Sequence, residues 1–547
     1  MNKTLDVSVK IERHSDPLVQ RAFVIMKNRI EQRCPVCVVQ SDSNVQVELM
    51  LDSALAAEGF RIDQVGSVVR VAGGSPRGLL YGVGKFLRTS RYQDGFQSSM
   101  WRGVSIPQGS LRGMYFANHF HNWYQMATEE EVIRYTEDLA LWGINTLMVI
   151  FPIINLKGWD DPETKPGMEQ TRKLLIAAKD VGLSTAVIVG NVLFTGTPAE
   201  VRATRLPDPL NRHGNSGTPV CPSHPAGRDL IIKTTVTLME QVADLGVDYL
   251  CTWPYDEGGC GCDQCRPWGG NGFIRMSRDI TEAVRKVLPK VKLIISTWTF
   301  DTPPEGEWQG LTDALARDPS LAHYIMADAH EDFPRYPLDV GVPGNLPLIN
   351  FPEISMWGNW PWGGMGAHTL PGRLQRLFDQ TKHVLKGGFP YSEGIYEDMS
   401  KVIEAQFYWD ANCTARSTLQ EYIAYEFSPA VVDDVMTIVD ILETVATNSS
   451  TKAEVNVVEV RRASEMAEAV NAILPAWAKT NWRWEILHLR TILERERFAG
   501  PGLETPAAEA AMLRLMEIFH CQMDADDPYH WRVRPPLKRA TSRNGQC

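Results

Sequence analysis

Residues 249–273, YLCTWPYDEGGCGCDQCRPWGGNGF, gather carboxylates, aromatic rings and thiols into one segment. Tyr249 to Trp253 is a short apolar run with the character of a buried strand. The run breaks at Pro254 and delivers two adjacent acids, Asp256 and Glu257, into a glycine-rich turn. A carboxyl at a strand end, walled by aromatic side chains, has its neutral form favoured and can deliver a proton. A strand that merely ends in a solvated acidic turn is the plain alternative. Trp253, Tyr255, Trp268 and the paired glycines argue for a site instead. Rings beside acids suit a sugar, whose C–H faces stack on them.

The thiols raise a separate question. Cys260, Cys262 and Cys265 are spaced C-x-C-x-x-C, and Cys221 is expected near the same barrel face. Four thiolates suit a closed structural zinc site that would pin the loop after this strand; free or partly packed thiols are the alternative. A catalytic zinc is not favoured, because no neighbouring histidine pair has ligand spacing. His119 and His121, two apart at a strand end, suit sugar hydroxyls better. Cys34 and Cys37 have redox-motif spacing but sit among valines, and packed core thiols account for them.

A site of this kind needs a rigid frame. The chain has 547 residues, enough for several domains and a large core. A net charge of −11 argues against nucleic acid or an anionic membrane as partner. No N-terminal apolar stretch reads as a signal peptide and no run of apolar residues is long enough to span a membrane, so a cytoplasmic location with reduced thiols is expected. Residues 1–108 read as a small α/β domain, with alternating strands around 45–49 and 67–71 and a helix over 79–87 opened by the turn 73–78. That turn lacks the lysine and the spacing of a phosphate cradle.

Residues 109–412 alternate apolar strands with amphipathic helices, the pattern of a (β/α)8 TIM barrel. Strands are expected at 112–116, 146–151, 184–190, 249–253, 292–297, 323–327, 346–351 and 387–391, with helices at 129–142, 169–181, 229–245 and 272–287 among others. The strand ends carry His119 and His121, Asn191, Tyr255, Trp298, Asp328, Glu353, Trp357 with Trp360, and Glu393. Barrel active sites are built at such ends. The loop WGNWPWGGM, 357–365, is too aromatic for idle solvent exposure, with an interface patch as the competing explanation. Residues 413–547 are helix-rich, with helices expected at 431–445, 457–472 and 477–498, and a homodimer through this domain is expected.

Three pieces resemble glycoside hydrolases related to the β-N-acetylhexosaminidases of family 20 and the α-glucuronidases of family 67. Ser75-Pro76-Arg77-Gly78-Leu79-Leu80-Tyr81-Gly82 resembles the helix of the small domain that precedes the barrel in both. Leu111-Arg112-Gly113-Met114, with His121 nine residues after the arginine, resembles the opening barrel strand of family 20, which implies that Arg112 grips sugar hydroxyls. Asp256-Glu257 after strand four matches the position of the family 20 catalytic pair. The helical third region is more similar to family 67. Ala117 and Phe120 replace an aspartate and an arginine of the family 20 pattern, so the substrate does not carry over.

The resemblance implies an exo-acting glycoside hydrolase that needs no cofactor for its chemistry, acts on an oligosaccharide or glycoside and uses Glu257 as general acid. In the family 20 manner Asp256 would orient the acetamido group of an N-acetylhexosamine-like sugar, which attacks from within, and the product retains its configuration. In the inverting, uronidase-like manner Glu353 or Glu393 would activate a water. For Glu393 a helix cap near Tyr396 is the structural alternative. A carbohydrate-binding relative without turnover and a lyase or isomerase on the same barrel are the rival classes.

Overall fold

The computed structural model describes residues 5–11, 16–34, 37–40, 46–93, 95–119, 122–206, 217–255, 258–302, 305–330, 332–354 and 369–520. His121, Asp256, Glu257, Trp357 and Trp360 lie outside the described residues.

The N-terminal region is a mixed six-stranded sheet in the order Cys37–Gln40, Leu5–Ile11, Val47–Leu51, Val68–Gly73, Phe60–Val65, Gly103–Ser105. Helices Pro17–Arg33 and Pro76–Arg88 pack on it. The second of these starts where the sequence signals it. Ser75 accepts a hydrogen bond from the Gly78 N–H, and Pro76 occupies the first turn, where its missing N–H costs nothing. Tyr81 on this helix donates to the Ile144 carbonyl at 3.1 Å, joining the domain to the barrel.

Among the described residues, eight parallel strands close a (β/α)8 barrel. They are β1 Leu111–Phe116, β2 Thr146–Ile150, β3 Ser184–Val189, β4 Tyr249–Thr252, β5 Lys292–Ser296, β6 Tyr324–Ala329, β7 Leu348–Pro352 and β8 Leu385–Gly388. The first seven coincide with strands expected from the sequence, because each is a largely apolar, mostly buried run too short for a helix; the eighth, expected at 387–391, overlaps that span only at Gly387 and Gly388. β8 is interrupted at Phe389-Pro390 and resumes as Tyr391–Ser392, with Tyr391 opposite Tyr115 of β1. The seam between β8 and β1 depends on Gly387. Its φ is +131°, and a Cβ there would lie 1.7 Å from the Leu111 carbonyl oxygen.

Two of the barrel helices begin earlier than the periodicity suggests, whereas those at Glu129 and Gly272 begin where expected. The one after β2 spans Thr164–Asp180 and the one after β3 spans Pro225–Glu240. In the latter, Pro225 takes the first turn and His224 accepts from the Gly227 N–H, so the start is set by capping rather than by the apolar face. The stretch expected as one helix over 477–498 divides into Ala476–Lys479 and Trp482–Glu494, because Asn481 caps a new start by accepting from the Arg483 N–H.

The C-terminal helices, Ala415–Glu426, Val432–Thr451, Val457–Ile473, Trp482–Glu494 and Pro506–Phe519, pack behind the barrel. A buried ionic chain joins all three regions. Asp138, on barrel helix Glu129–Leu141, pairs with Arg29 at 2.8 Å and with Arg483 at 3.0 Å. Arg483 reaches Asp398 at 2.8 Å, and Arg33 reaches Glu426 at 2.7 Å. Removing one member of such a chain costs about 3–5 kcal/mol, because the partner stays buried without its countercharge. No helix among the described residues is long and apolar enough to cross a membrane.

Candidate active site

The barrel interior alternates with the pleat. Tyr115, Met148, Ile188, Cys251, Ile294, Met326, Phe351 and Tyr391 face one another along the axis. Two residues further along their strands, the same side of the pleat leads to Trp253, Glu353 and Glu393. The C-terminal ends of the strands surround a cavity of about 200 Å³. Its walls include Tyr115, His119, Trp253, Tyr255, Trp298, His330, Phe351, Glu353 and Tyr391. Trp253 packs on Trp298 and Phe351, with ring centroids 5.2 and 5.0 Å apart. Trp298 in turn lies 4.6 Å from the His330 ring. The aromatic rings contact each other edge-on or tilted, which leaves faces and edges for an apolar ring surface.

The acids at the far wall are held firmly. Glu353 is buried, its N–H donates to the Ala329 carbonyl at 3.0 Å, and its own carbonyl accepts from Arg373 at 2.7 Å. Arg373 also donates to the His330 carbonyl, so one guanidinium ties the ends of β6 and β7 together. Burial, reinforced by the Arg373 charge, lowers the His330 imidazole to about 4, so it is neutral at pH 7.

Glu393 accepts from the Tyr391 hydroxyl at 2.7 Å and from the Tyr396 hydroxyl at 3.4 Å. It does not cap the following helix, Asp398–Trp409. Glu397 stands behind it and accepts from the Glu393 N–H at 2.8 Å and the Gly394 N–H at 3.3 Å. Lys401 completes the support, donating to the hydroxyls of Tyr124 at 2.8 Å and Tyr135 at 2.7 Å and to the Gly394 carbonyl. Burial lowers the Lys401 ammonium to about 8 and raises the Glu397 carboxyl.

Other expected residues have different places. Arg112 does not reach the cavity. It is fully buried near the start of β1, on the barrel floor, where it donates to the carbonyls of Gly143 at 2.7 Å and Gly109 at 2.8 Å and pairs with Glu58 of the N-terminal domain at 2.9 Å. Arg112 sits near the start of β1 and shares its side of the pleat with Met114 and Phe116, which pack outside the barrel interior, so it holds the domain rather than a sugar. Asn191 is also fully buried. Its amide donates to the carbonyls of Val220 at 3.0 Å and Gly259 at 3.4 Å, and its oxygen accepts from the Gly259 N–H at 3.3 Å. Asn191 therefore shapes the loop after β4 instead of meeting a ligand. Gly259 has φ +101°, a conformation that suits glycine. Asp328 accepts from the Thr299 N–H at 3.3 Å, steadying the loop after β5.

His119 and Tyr255 line the cavity, His119 within 3.3 Å of the Tyr115 hydroxyl. His330, a strand-end residue in the sequence, also borders the site, and Tyr115, Tyr391 and Tyr396 join it without having been selected from the sequence as contacts. The signal for two of them was the pleat: Tyr391 lies two residues before Glu393, and Tyr115 lies four before His119. On the loops after β3 and β4, the sulfurs of Cys221, Cys260, Cys262 and Cys265 all lie within 4.8 Å of one another.

No protein-family model matches the sequence, and none of the curated proteins matches it. Solved structures share its fold. One is a GH138 enzyme targeting pectin rhamnogalacturonan II, 12% identical over 94% of this chain and 88% of that chain, with a TM-score of 0.60. Another is a family GH115 4-O-methyl-α-glucuronidase with specificity for decorated arabinogalactans, 11% identical over 95% of this chain and 76% of that one, TM-score 0.63. A third is a GH20 exo-β-N-acetylglucosaminidase from Vibrio harveyi in complex with N-acetylglucosamine, 11% identical over 80% and 74%, TM-score 0.52. The chain thus shares the fold of these three structures, a (β/α)8 barrel preceded by a sheet domain and followed by helices.

Proposed function

We propose that the protein is an exo-acting glycoside hydrolase that removes a terminal, uncharged sugar of the N-acetylhexosamine type. The observation that carries this reading is the aromatic cavity at the C-terminal ends of the barrel strands, with Glu353 in its wall and Glu393 beside it. The cavity's size suits one sugar unit, and the two carboxylates disfavour an anionic one. The fold of the neighbouring glycoside hydrolases supports the same class.

Glu257 is the general acid in this reading. It follows Tyr255, a cavity wall residue, by two positions in the chain, and neighbouring Cα atoms are held about 3.8 Å apart. Its proton passes to the glycosidic oxygen as the bond to the anomeric carbon breaks. Asp256 then orients the acetamido oxygen of the substrate, which attacks the anomeric carbon, and water opens the cyclised intermediate with retention. No cofactor is needed for these steps. His119, the neutral His330 and the tyrosine hydroxyls are suited to hydrogen-bond sugar hydroxyls.

One observation favours a second mechanism. β4 and β8 stand four strands apart around the ring, on opposite sides, and β7 is next to β8. An acid after β4 facing Glu353 or Glu393 would leave room for a water, as in inverting enzymes whose carboxyls are roughly 6.5–9.5 Å apart. A homodimer through the C-terminal helices and a cytoplasmic location complete the proposal, the first checked by light scattering.

The test is a panel of chromogenic glycosides, each as α and β anomer, followed by NMR of the first-formed product on whichever is cleaved. Turnover of an N-acetylhexosaminide with retention supports substrate assistance. Inversion transfers the second role to Glu353 or Glu393. Sugar binding with no turnover on any glycoside would sink the hydrolase reading.

A further inference from the structure

Three of the clustered thiols sit on the loop after β4 and one on the loop after β3, so their meeting is a product of the fold. We infer that Cys221, Cys260, Cys262 and Cys265 form a closed tetrathiolate site for one structural zinc ion, which clasps these two loops together. The inference goes beyond the proposed hydrolase activity and does not depend on it.

The geometry is that of a tetrahedral S4 site. A zinc–sulfur bond of about 2.3 Å places the corners of a regular tetrahedron about 3.8 Å apart. The four sulfurs lie within 4.8 Å of one another, and those of Cys221 and Cys262 are 3.9 Å apart. Cys260 and Cys265 are fully buried, Cys221 is buried and Cys262 is partly exposed. Such an arrangement supplies four ligands and keeps no coordination position for substrate, which makes the site structural.

The backbone around the sulfurs is already organised for this. The Cys262 carbonyl accepts from the Cys265 N–H at 3.0 Å and the Arg266 N–H at 3.1 Å, closing a tight turn over C-x-x-C. Both loops are stitched to one strand of chain: Cys221 donates its N–H to the Val201 carbonyl at 3.0 Å and Gly261 to the Thr204 carbonyl at 2.8 Å. A side chain at 261 has no room, because a Cβ there would lie 2.6 Å from the Arg205 carbonyl oxygen. Zinc with four thiolates carries a net charge of −2. Arg275 stands close by, donating at 2.8 Å to the Ser223 hydroxyl, which lies 3.0 Å from the Cys265 sulfur. On binding, Zn²⁺ takes the place of the thiol protons, which pass to solvent.

The proposed clasp sits directly after Gly258-Gly259, the two residues between Asp256-Glu257 and Cys260. The experiment uses the full-length protein purified without chelator. Elemental analysis is expected to give about one zinc per chain, and cobalt exchange is expected to give the intense visible bands of a tetrahedral cobalt thiolate. Cys262→Ser and Cys265→Ser should lose that metal, whereas Cys413→Ser, on the far side of the barrel, should keep it. If the serine variants do not fold, the zinc content and the cobalt spectrum of the unaltered protein decide alone. Metal-free protein, iron in place of zinc, or disulfide-linked thiols would each overturn the inference. A zinc-loaded protein without turnover would count only against the hydrolase reading, and a metal-free active one only against the zinc.

Discussion

The two ends of the barrel bury charged groups in opposite ways. On the floor, Arg112 is enclosed by the rings of Tyr81 and Trp409, bound to main-chain carbonyls and paired with Glu58, with its charge directed at fixed protein groups. At the top, Glu353 and Glu393 are supported from behind by Arg373, Glu397 and Lys401 while a cavity opens in front. A buried arginine at one end and a buried and a half-buried acid at the other are thus different devices. Position along the strand, not residue type, separates a brace from a reactive group, as the general asymmetry of TIM barrels leads one to expect.

The sharpest way to break that comparison is at the proposed acid. Glu257→Gln is expected to lower kcat by roughly 10²–10⁴-fold while the melting temperature stays the same. Activated leaving groups such as nitrophenol should be less affected than unactivated ones, since they need little protonation. An equal loss on both kinds would remove Glu257 from the role. Under the inverting mechanism, Glu393→Gln or Glu353→Gln should cost a similar factor, and added azide should restore turnover in whichever variant lacks the base.

The floor makes the reverse prediction. Arg112→Met leaves the buried carbonyls of Gly109 and Gly143 without their donor, while Glu58 keeps its pair with Arg77 at 2.8 Å, and should lower stability by about 2–4 kcal/mol. KM and kcat per folded molecule should not move. A rise in KM with unchanged melting temperature would return Arg112 to the substrate.

What was legible in the sequence follows the same division. Seven strands could be read closely because each is a short apolar run bounded by turns and separated by amphipathic helices, a pattern that demands a two-sided buried sheet, whereas the eighth, Leu385–Gly388, carries a lysine and two glycines and reads two residues late. The gathering of Trp298, Glu353 and Glu393 at one end could be read because parallel strands put all their C-termini on one face. Arg112 misled because it sits one turn of logic too early: a family motif suggests contact, whereas its place near the beginning of β1 assigns it to the floor. Asn191 misled because a polar residue just past a strand looks available until its amide is seen bonded to Val220 and Gly259. The tyrosines at 115 and 391 were hidden by their strand positions, where aromatic residues are ordinary core. Cys221 lies far in sequence from its companions, and only the adjacency of β3 and β4 brings it beside them.

The aromatic wall allows a finer test of the upper end. Trp298 packs on Trp253, Phe351 and His330 and fronts the cavity. Trp298→Ala removes a stacking face and should weaken transition-state binding by about 1.4 kcal/mol, a tenfold fall in kcat/KM. Trp298→Phe, which keeps a face, should recover most of it. Equal losses in the two variants would make Trp298 packing alone.

The smallest expected effect comes from His330, and it separates the ends by pH. The imidazole is depressed to about 4 in the folded chain, first by burial and then by Arg373, against about 6.5 when unfolded. Between those values the unfolded chain holds the proton and the folded chain resists it. Stability therefore rises with pH across this window and is lost as pH falls from about 6.5 toward 4. From pH 7 to pH 6 the expected loss is about 0.7 kcal/mol from this group alone. Acid titration of many carboxylates lies lower, so the comparison belongs in this narrow range. Urea unfolding at the two pH values should show the difference in the parent protein and a smaller one in His330→Gln. Identical pH dependence in both would mean that His330 holds its proton equally well folded and unfolded, as a solvated imidazole does, and the burial argument would fall.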